Sequence, residues 1–171
     1  VLIVAEQGNG KLKKYSIELA GKAGELAKAL GGQVIAVLIG EKIDTAATEL
    51  GTFGVAKMIT ATDAALAHYS SEQYANILRD VVVKEQPAIV LGTASGLGKD
   101  LLARVAMQLG VGLATDCTAL TIEDAAIKSF YPGAGMTTLS LSPALIFPKN
   151  QQGVVTLAAG GAGVIIVEYV N

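Results

Sequence analysis

Two hydrophobic periods alternate along the first 110 residues. Short runs rich in Val and Ile, almost free of internal charge, occupy Val1–Ala5, Gln33–Ile39, Lys57–Ala61 and Ala88–Gly92. Such runs read as strands buried on both faces of a parallel sheet. Between them the apolar positions fall at steps of three and four. Leu12, Tyr15, Leu19, Ala23, Leu26 and Leu30 line one helical face, and Gly31-Gly32 supply its stop. Tyr74, Ile77, Leu78, Val81 and Val82 form a second stripe. Ser70, placed three residues before Gln73, offers it a capping box, and Pro87 blocks its continuation. Leu101, Leu102, Val105, Ala106 and Leu109 form a third stripe ending at Gly110, while Asp44–Leu50 reads as a shorter helix. Strand followed by helix, repeated, implies right-handed crossovers and therefore an α/β fold: an open parallel sheet with helices on both faces.

After Gly112 the pattern changes. Cys117–Ile122, Ala126–Tyr131, Met136–Leu141 and Ala144–Phe147 read as strands separated by turn residues, with no helical stripe between them. The tail Val154–Val167 reads as two strands around the Gly160-Gly161 and Gly163 turn. The expectation is one domain over 1–171, with a parallel α/β core over 1–112 and a strand-rich completion over 113–171 that includes an antiparallel hairpin extension near the C-terminus. From Ser129 through Val167 the only formal charge is Lys149, so this stretch either completes a buried sheet or forms a face that another chain covers.

Composition narrows the function. Thirteen basic and fifteen acidic side chains leave a net charge of -2, which offers no field for nucleic acid or an anionic membrane. Five per cent aromatic residues and no Trp argue against a base-stacking surface. One cysteine, Cys117, and one histidine, His68, cannot supply a disulfide framework or the usual zinc ligand sets, so no metal is expected. Cys117 reads as a small core residue and His68 as a surface residue near a helix start. The uncharged stretch Ser129–Pro148 contains Pro132, Pro143 and Pro148, so it is no membrane-spanning helix. With no targeting signal visible, a cytoplasmic location is expected. The chain opens on Val1 rather than Met, as a trimmed or partial chain would.

In open parallel sheets, ligands sit beyond the carboxyl ends of the strands where the winding reverses. That singles out Glu6-Gln7-Gly8-Asn9-Gly10-Lys11 after the first strand and Gly92-Thr93-Ala94-Ser95-Gly96-Leu97-Gly98-Lys99-Asp100 after the fourth. If the strand order is 3-2-1-4-5, the two loops flank one crevice. In the second loop, small residues let the backbone approach a phosphate, the helix start offers free N–H groups, and Lys99 adds positive charge. A nucleotide in this crevice would meet Glu6, Gly92, Thr93, Ser95, Gly98, Lys99 and Asp100. Known phosphate motifs do not fit, however. Thr93 stands where a P-loop needs its first Gly and Asp100 where it needs a hydroxyl; Lys13 stands where a dinucleotide fingerprint needs its last Gly. The plain alternative is an ordinary helix start with Asp100 at its positive end. Likewise Glu6 reads either as a ribose contact or as a solvated turn carboxylate, and Thr115-Asp116 as a turn former. Arg104 reads as a solvated charge or an ion-pair partner. No nucleophile–base pair and no cluster of carboxylates emerges, which favours a binding module over a catalyst.

The stretch from Gly92 to Gly110, with Gly98-Lys99-Asp100 and Arg104-Val105-Ala106, followed by Leu113-Ala114-Thr115-Asp116-Cys117, resembles the electron transfer flavoprotein alpha subunit. Val1–Glu6 with Gly10-Lys11-Leu12, and Phe130-Tyr131-Pro132-Gly133-Ala134-Gly135, are similar to that family's first strand and its hairpin. The likeness runs from residue 1 to about residue 140. It implies an adenine-nucleotide alpha-hydrolase-like fold and electron carriage beside a beta-like subunit, with FAD as cofactor. In the related beta subunit the loop matching Gly92–Asp100 cradles AMP; in the alpha subunit this domain is mainly scaffold and interface, and FAD lies in a separate C-terminal domain that has no matched positions here. Two departures stand out: Ala134-Gly135 replaces the family's Gly-Asn, and Ala144–Lys149 replaces its Arg-bearing strand. The expected partner is a beta-like subunit or a second copy of the chain.

Overall fold

The computed structural model describes residues 1–117, 119–123, 126–130, 137–139, 154–158 and 165–169. In chain order the elements are β1 Leu2–Ala5, β2 Gln7–Gly8, β3 Lys11–Leu12, α1 Lys14–Ala29, β4 Ile35–Gly40, α2 Asp44–Gly51 and β5 Lys57–Thr62. A 3-10 turn at Ala64–Leu66 leads to α3 Ser71–Glu85, β6 Ile89–Thr93, α4 Gly96–Leu109 and β7 Leu113–Cys117. Then come β8 Ala119–Glu123, β9 Ala126–Phe130, β10 Thr137–Leu139, β11 Val154–Ala158 and β12 Ile165–Tyr169.

Six of these strands form an all-parallel sheet in the order β5-β4-β1-β6-β12-β7. Alternate residues of each strand face opposite layers. Ile3 and Ala5 pack with Ala36, Leu38, Ile89 and Leu91 beneath Leu19, Ala23 and Leu26 of α1 and Leu50 of α2. Leu2 and Val4 pack with Val37, Ile39 and Val90 beneath Leu78 and Val82 of α3 and Leu101, Leu102 and Val105 of α4. The four helices of the described residues therefore cover both faces, two to a side. Each fully buried Leu or Ile contributes about 1.5–3 kcal/mol, so these two layers carry the stability of the fold.

Helix ends follow local chemistry. α1 stops where Gly31 takes φ +65° and the Gly32 amide donates to Ala27 O at 2.8 Å. α3 stops at Gln86, in the left-handed region, with Pro87 behind it. α4 stops at Gly110, φ +65°. The capping box expected from Ser70 and Gln73 does not form: Ser70 stands at the N-cap position, but its side chain makes no capping hydrogen bond.

The C-terminal third departs most from expectation. The small two-stranded antiparallel sheet lies near the N-terminus, where β2 pairs with β3 across Asn9 (φ +53°) and Gly10 (φ +78°). Positive φ at both turn residues is what an Asn-Gly hairpin uses. In place of a terminal hairpin extension, β12 enters the main sheet between β6 and β7, parallel to both, with Ile166 and Val167 fully buried. Here β12, at the end of the charge-poor stretch, completes a buried sheet. A separate four-stranded sheet, β10-β11-β9-β8, holds the antiparallel pairs β8–β9 and β9–β11. Thr115-Asp116, read as a turn former ahead of a strand at Cys117–Ile122, lies within β7 Leu113–Cys117; Ala144–Phe147 lies outside the described residues. Among the described residues no helix is long and apolar enough to cross a membrane.

Candidate functional site

β1 has β4 on one side and β6 on the other, so the crossovers diverge at its tip. Glu6 follows β1 directly, and Thr93 ends the neighbouring β6. Two residues on, Ser95 caps α4, its Oγ accepting the Gly98 amide at 2.9 Å. At the carboxyl ends of β1 and β6, Glu6, Thr93, Ser95 and Gly98 therefore stand together.

The carboxylate of Glu6 is the hub. Thr93 Oγ1 and Ser95 Oγ each donate to its Oε1 at 2.6 Å, and the Tyr15 hydroxyl donates to Oε2 at 2.8 Å. Glu6 is 8 % exposed, so it is not a solvated turn carboxylate. Its backbone is clamped too. Ser16 Oγ accepts the Glu6 amide at 2.8 Å and donates to the Glu6 carbonyl at 3.0 Å, and the Lys13 amide donates to the same carbonyl at 3.0 Å. Burial first, and then the bond to Glu6, push the Tyr15 phenol up to about 12.

Two glycines answer to packing. A Cβ on Gly98 would lie 1.9 Å from the Thr93 carbonyl oxygen and 3.4 Å from Glu6 Oε1. A Cβ on Gly92 would lie 2.6 Å from Leu102 Cδ1, so Gly92 serves the seating of α4 on β6.

The remaining expected site residues turn elsewhere. Lys99 Nζ bonds to Asp116 Oδ1 of β7, and Asp116 takes φ +52° beside the point where the β7–β12 register shifts. Asp100 accepts the Tyr69 hydroxyl at 2.7 Å and Arg104 Nε at 2.9 Å, which settles Arg104 as an ion-pair partner. The Tyr69 hydroxyl, and after it Arg104, hold the Asp100 carboxyl below its ordinary range; burial and the same bond hold the Tyr69 phenol above its own. Tyr69 also meets Tyr74 edge-on, with centroids 5.0 Å apart. Cys117 is buried and His68 exposed, as the sequence suggests.

Beside Glu6 lies a cleft of about 210 Å³, walled by Gln7–Asn9 of the hairpin, by His68 and Tyr69, and by Leu97 of α4. Among the described residues no Lys or Arg lines it. Pockets that bury a drug-sized ligand run to about 300–1,000 Å³, so FAD does not fit here. A nucleotide phosphate would face the Glu6 carboxylate. Among the described residues no cluster of His, Cys, Asp or Glu is suited to a metal ion.

Glu6, Thr93, Ser95 and Gly98, all singled out in the sequence, stand together, whereas their neighbours Tyr15, Ser16 and Tyr69 carry no sequence signal that picks them out. Tyr15 falls within an apolar stripe, and nothing local marks a hydroxyl whose partner is a distant carboxylate.

Fold and site together define a doubly wound α/β domain whose strand-tip crevice holds a carboxylate of its own. Residues 1–159 match the electron transfer flavoprotein domain, and the chain belongs to that family. It is 39% identical over 123 residues to the electron transfer flavoprotein subunit alpha of Clostridium acetobutylicum, covering 72% of this chain and 37% of that protein. The corresponding subunit of Megasphaera elsdenii is 40% identical over 124 residues, with the same coverage of 72% and 37%. That of Bacillus subtilis is 30% identical over 159 residues, covering 89% of this chain and 48% of the relative. The chain thus spans less than half the length of these relatives.

Proposed function

We propose that the chain acts as the amino-terminal domain of an alpha-type electron transfer flavoprotein subunit, with the adenine-nucleotide alpha-hydrolase-like fold its resemblance implies. In this reading it supports electron transfer as scaffold and docking face for a flavin- or nucleotide-bearing partner, and works in the cytoplasm as a carrier component rather than a catalyst. The family match across residues 1–159, with relatives named as alpha subunits, carries the reading. The partner is a beta-like subunit, with a second copy of the chain as the other candidate, and the proposed docking face is the charge-poor stretch from Ser129 up to β12, whose own Ile166 and Val167 are buried in the main sheet. FAD, in this reading, is held outside the described crevice, which is too small for it. The test is purification alone and after co-expression with a beta-like subunit, followed by absorption spectroscopy and sedimentation. Alone, the chain should be colourless; with the partner, it should enter a complex that carries a flavin band. Stoichiometric FAD on the isolated chain, or a monomer that ignores every beta-like subunit offered, would overturn the proposal.

The convergence of two loops on one cleft favours a second reading, an adenine-nucleotide module using Glu6, Gly92, Thr93, Ser95, Gly98, Lys99 and Asp100 for AMP or ATP, FAD being too large for the cleft. Calorimetry with each nucleotide separates the two: heat at sub-millimolar AMP supports the module, and its absence at millimolar AMP removes it.

A further inference from the structure

The turn from β6 into α4 presents much of what an anion seeks: two hydroxyls, from Thr93 and Ser95, beside the first turn of a helix, where Gly98 has no side chain to stand in the way. That position already holds a negative charge. Three donors from β6, the β6–α4 turn and α1 converge on Glu6, which arrives from the tip of β1 and is more than nine-tenths buried. The hydroxyl protons that would serve a phosphate oxygen are spent on the carboxylate. The adjoining cleft reinforces this. Glu6 itself lines it, no Lys or Arg does so among the described residues, and the Lys99 ammonium of the same loop is engaged by Asp116. A phosphate ester entering the cleft would meet a buried like charge at Glu6, and the ammonium that comes near the wall, that of Lys13, lies against Gly8 rather than lining the cleft.

We propose that Glu6 is a built-in anion that closes this crevice to phosphate esters. It acts as a specificity-determining contact: the domain keeps the architecture of a nucleotide site while its own side chain occupies the phosphate position. Nucleotide binding is thereby left to other parts of the protein or to a partner. The inference goes beyond the scaffold reading and holds whether or not the chain meets a beta-like subunit.

The test uses the full chain and two variants, Glu6→Ala, which vacates the position, and Glu6→Gln, which keeps the side-chain size but removes the charge. Circular dichroism and thermal unfolding establish that each is folded. Inorganic phosphate and AMP are then titrated by calorimetry, with the Gly98 amide followed by NMR. The unmodified chain should bind neither probe at millimolar concentration, and its Gly98 amide should not move. Glu6→Ala should bind phosphate at least about tenfold more tightly than the unmodified chain, with the affinity falling as salt rises. Glu6→Gln should shift in the same direction and by less. Movement of the Gly98 amide in the unmodified chain at low phosphate would overturn the proposal. So would folded variants that bind phosphate no better than the parent.

Discussion

Replacing Gly98 with alanine sets two opposed effects against each other. Within a helix the change should stabilise, since alanine is favoured over glycine by about 1 kcal/mol. Here the new methyl would stand 1.9 Å from the Thr93 carbonyl oxygen and 3.1 Å from its carbon. Ordinary carbon–oxygen contact is more than an ångström longer than the first of these. Neither group can swing aside, because both belong to backbone: Thr93 ends a strand paired on both flanks, and Gly98 lies in the first turn of α4. Relief requires α4 to move off β6, which costs about 1–3 kcal/mol as overpacking. The same movement strains the part-buried Gly98–Ser95 and Ser95–Glu6 hydrogen bonds, and losing the one to the Glu6 carboxylate costs about 1.5–3 kcal/mol more. The loss wins, with net destabilisation of about 2–4 kcal/mol, or roughly 5–15 °C in a chain of this size. Gly96→Ala is the control, since a Cβ there meets nothing within 4 Å; it should stay within about 0.5 kcal/mol of the parent. Differential scanning calorimetry of the three proteins decides it. A Gly98→Ala protein that melts with the parent, or with the Gly96→Ala control, would refute the close approach on which the crevice geometry rests.

Other consequences can be checked in the same way. Ser16→Ala removes a buried hydroxyl that both accepts from and donates to the Glu6 backbone, and urea unfolding should show a loss of about 1–3 kcal/mol. Gly24→Ala, in the interior of α1 with nothing within 4 Å of the new methyl, should raise the urea midpoint by about 0.5–1 kcal/mol equivalent. The Tyr15 phenol is held protonated by the fold up to about 12, above its ordinary 10.0, so its contribution is complete below pH 10 and is lost as pH rises through 12. Urea midpoints measured from pH 9 to 12 should fall less steeply for Tyr15→Phe than for the parent; parallel curves would contradict the Tyr15–Glu6 bond.

The parallel core was legible because burial on both faces leaves an unbroken apolar run, as in Ile35–Gly40, and one-sided burial leaves a stripe, as in Leu101, Leu102 and Val105. Those patterns encode how deeply a segment is buried and say nothing of its neighbours. For that reason Ile165–Tyr169 could be read as a strand but not as the one inserted between β6 and β7. β7 was obscured by Asp116, whose left-handed backbone suits a turn as well as the bulge it occupies. Asn9-Gly10 carries a strong hairpin signal, which a search of that loop for phosphate motifs passes over. At the site, the position of Glu6 after β1 was readable. Its partners Thr93 and Ser95 lie 87 and 89 residues away, and no local spacing encodes a hydrogen bond across that separation.

The placement of β12 bears on how the protein is made. The α4 crossover leaves β6 and skips one position before β7, so a gap one strand wide waits in the sheet until Ile165–Tyr169 emerges. Roughly fifty residues separate β7 from that closing segment, about 2–10 s of translation at ~5–20 residues per second. During that interval a nascent chain on the ribosome exposes two facing rows of unsatisfied amides and carbonyls, the kind of surface that chaperones exist to shield.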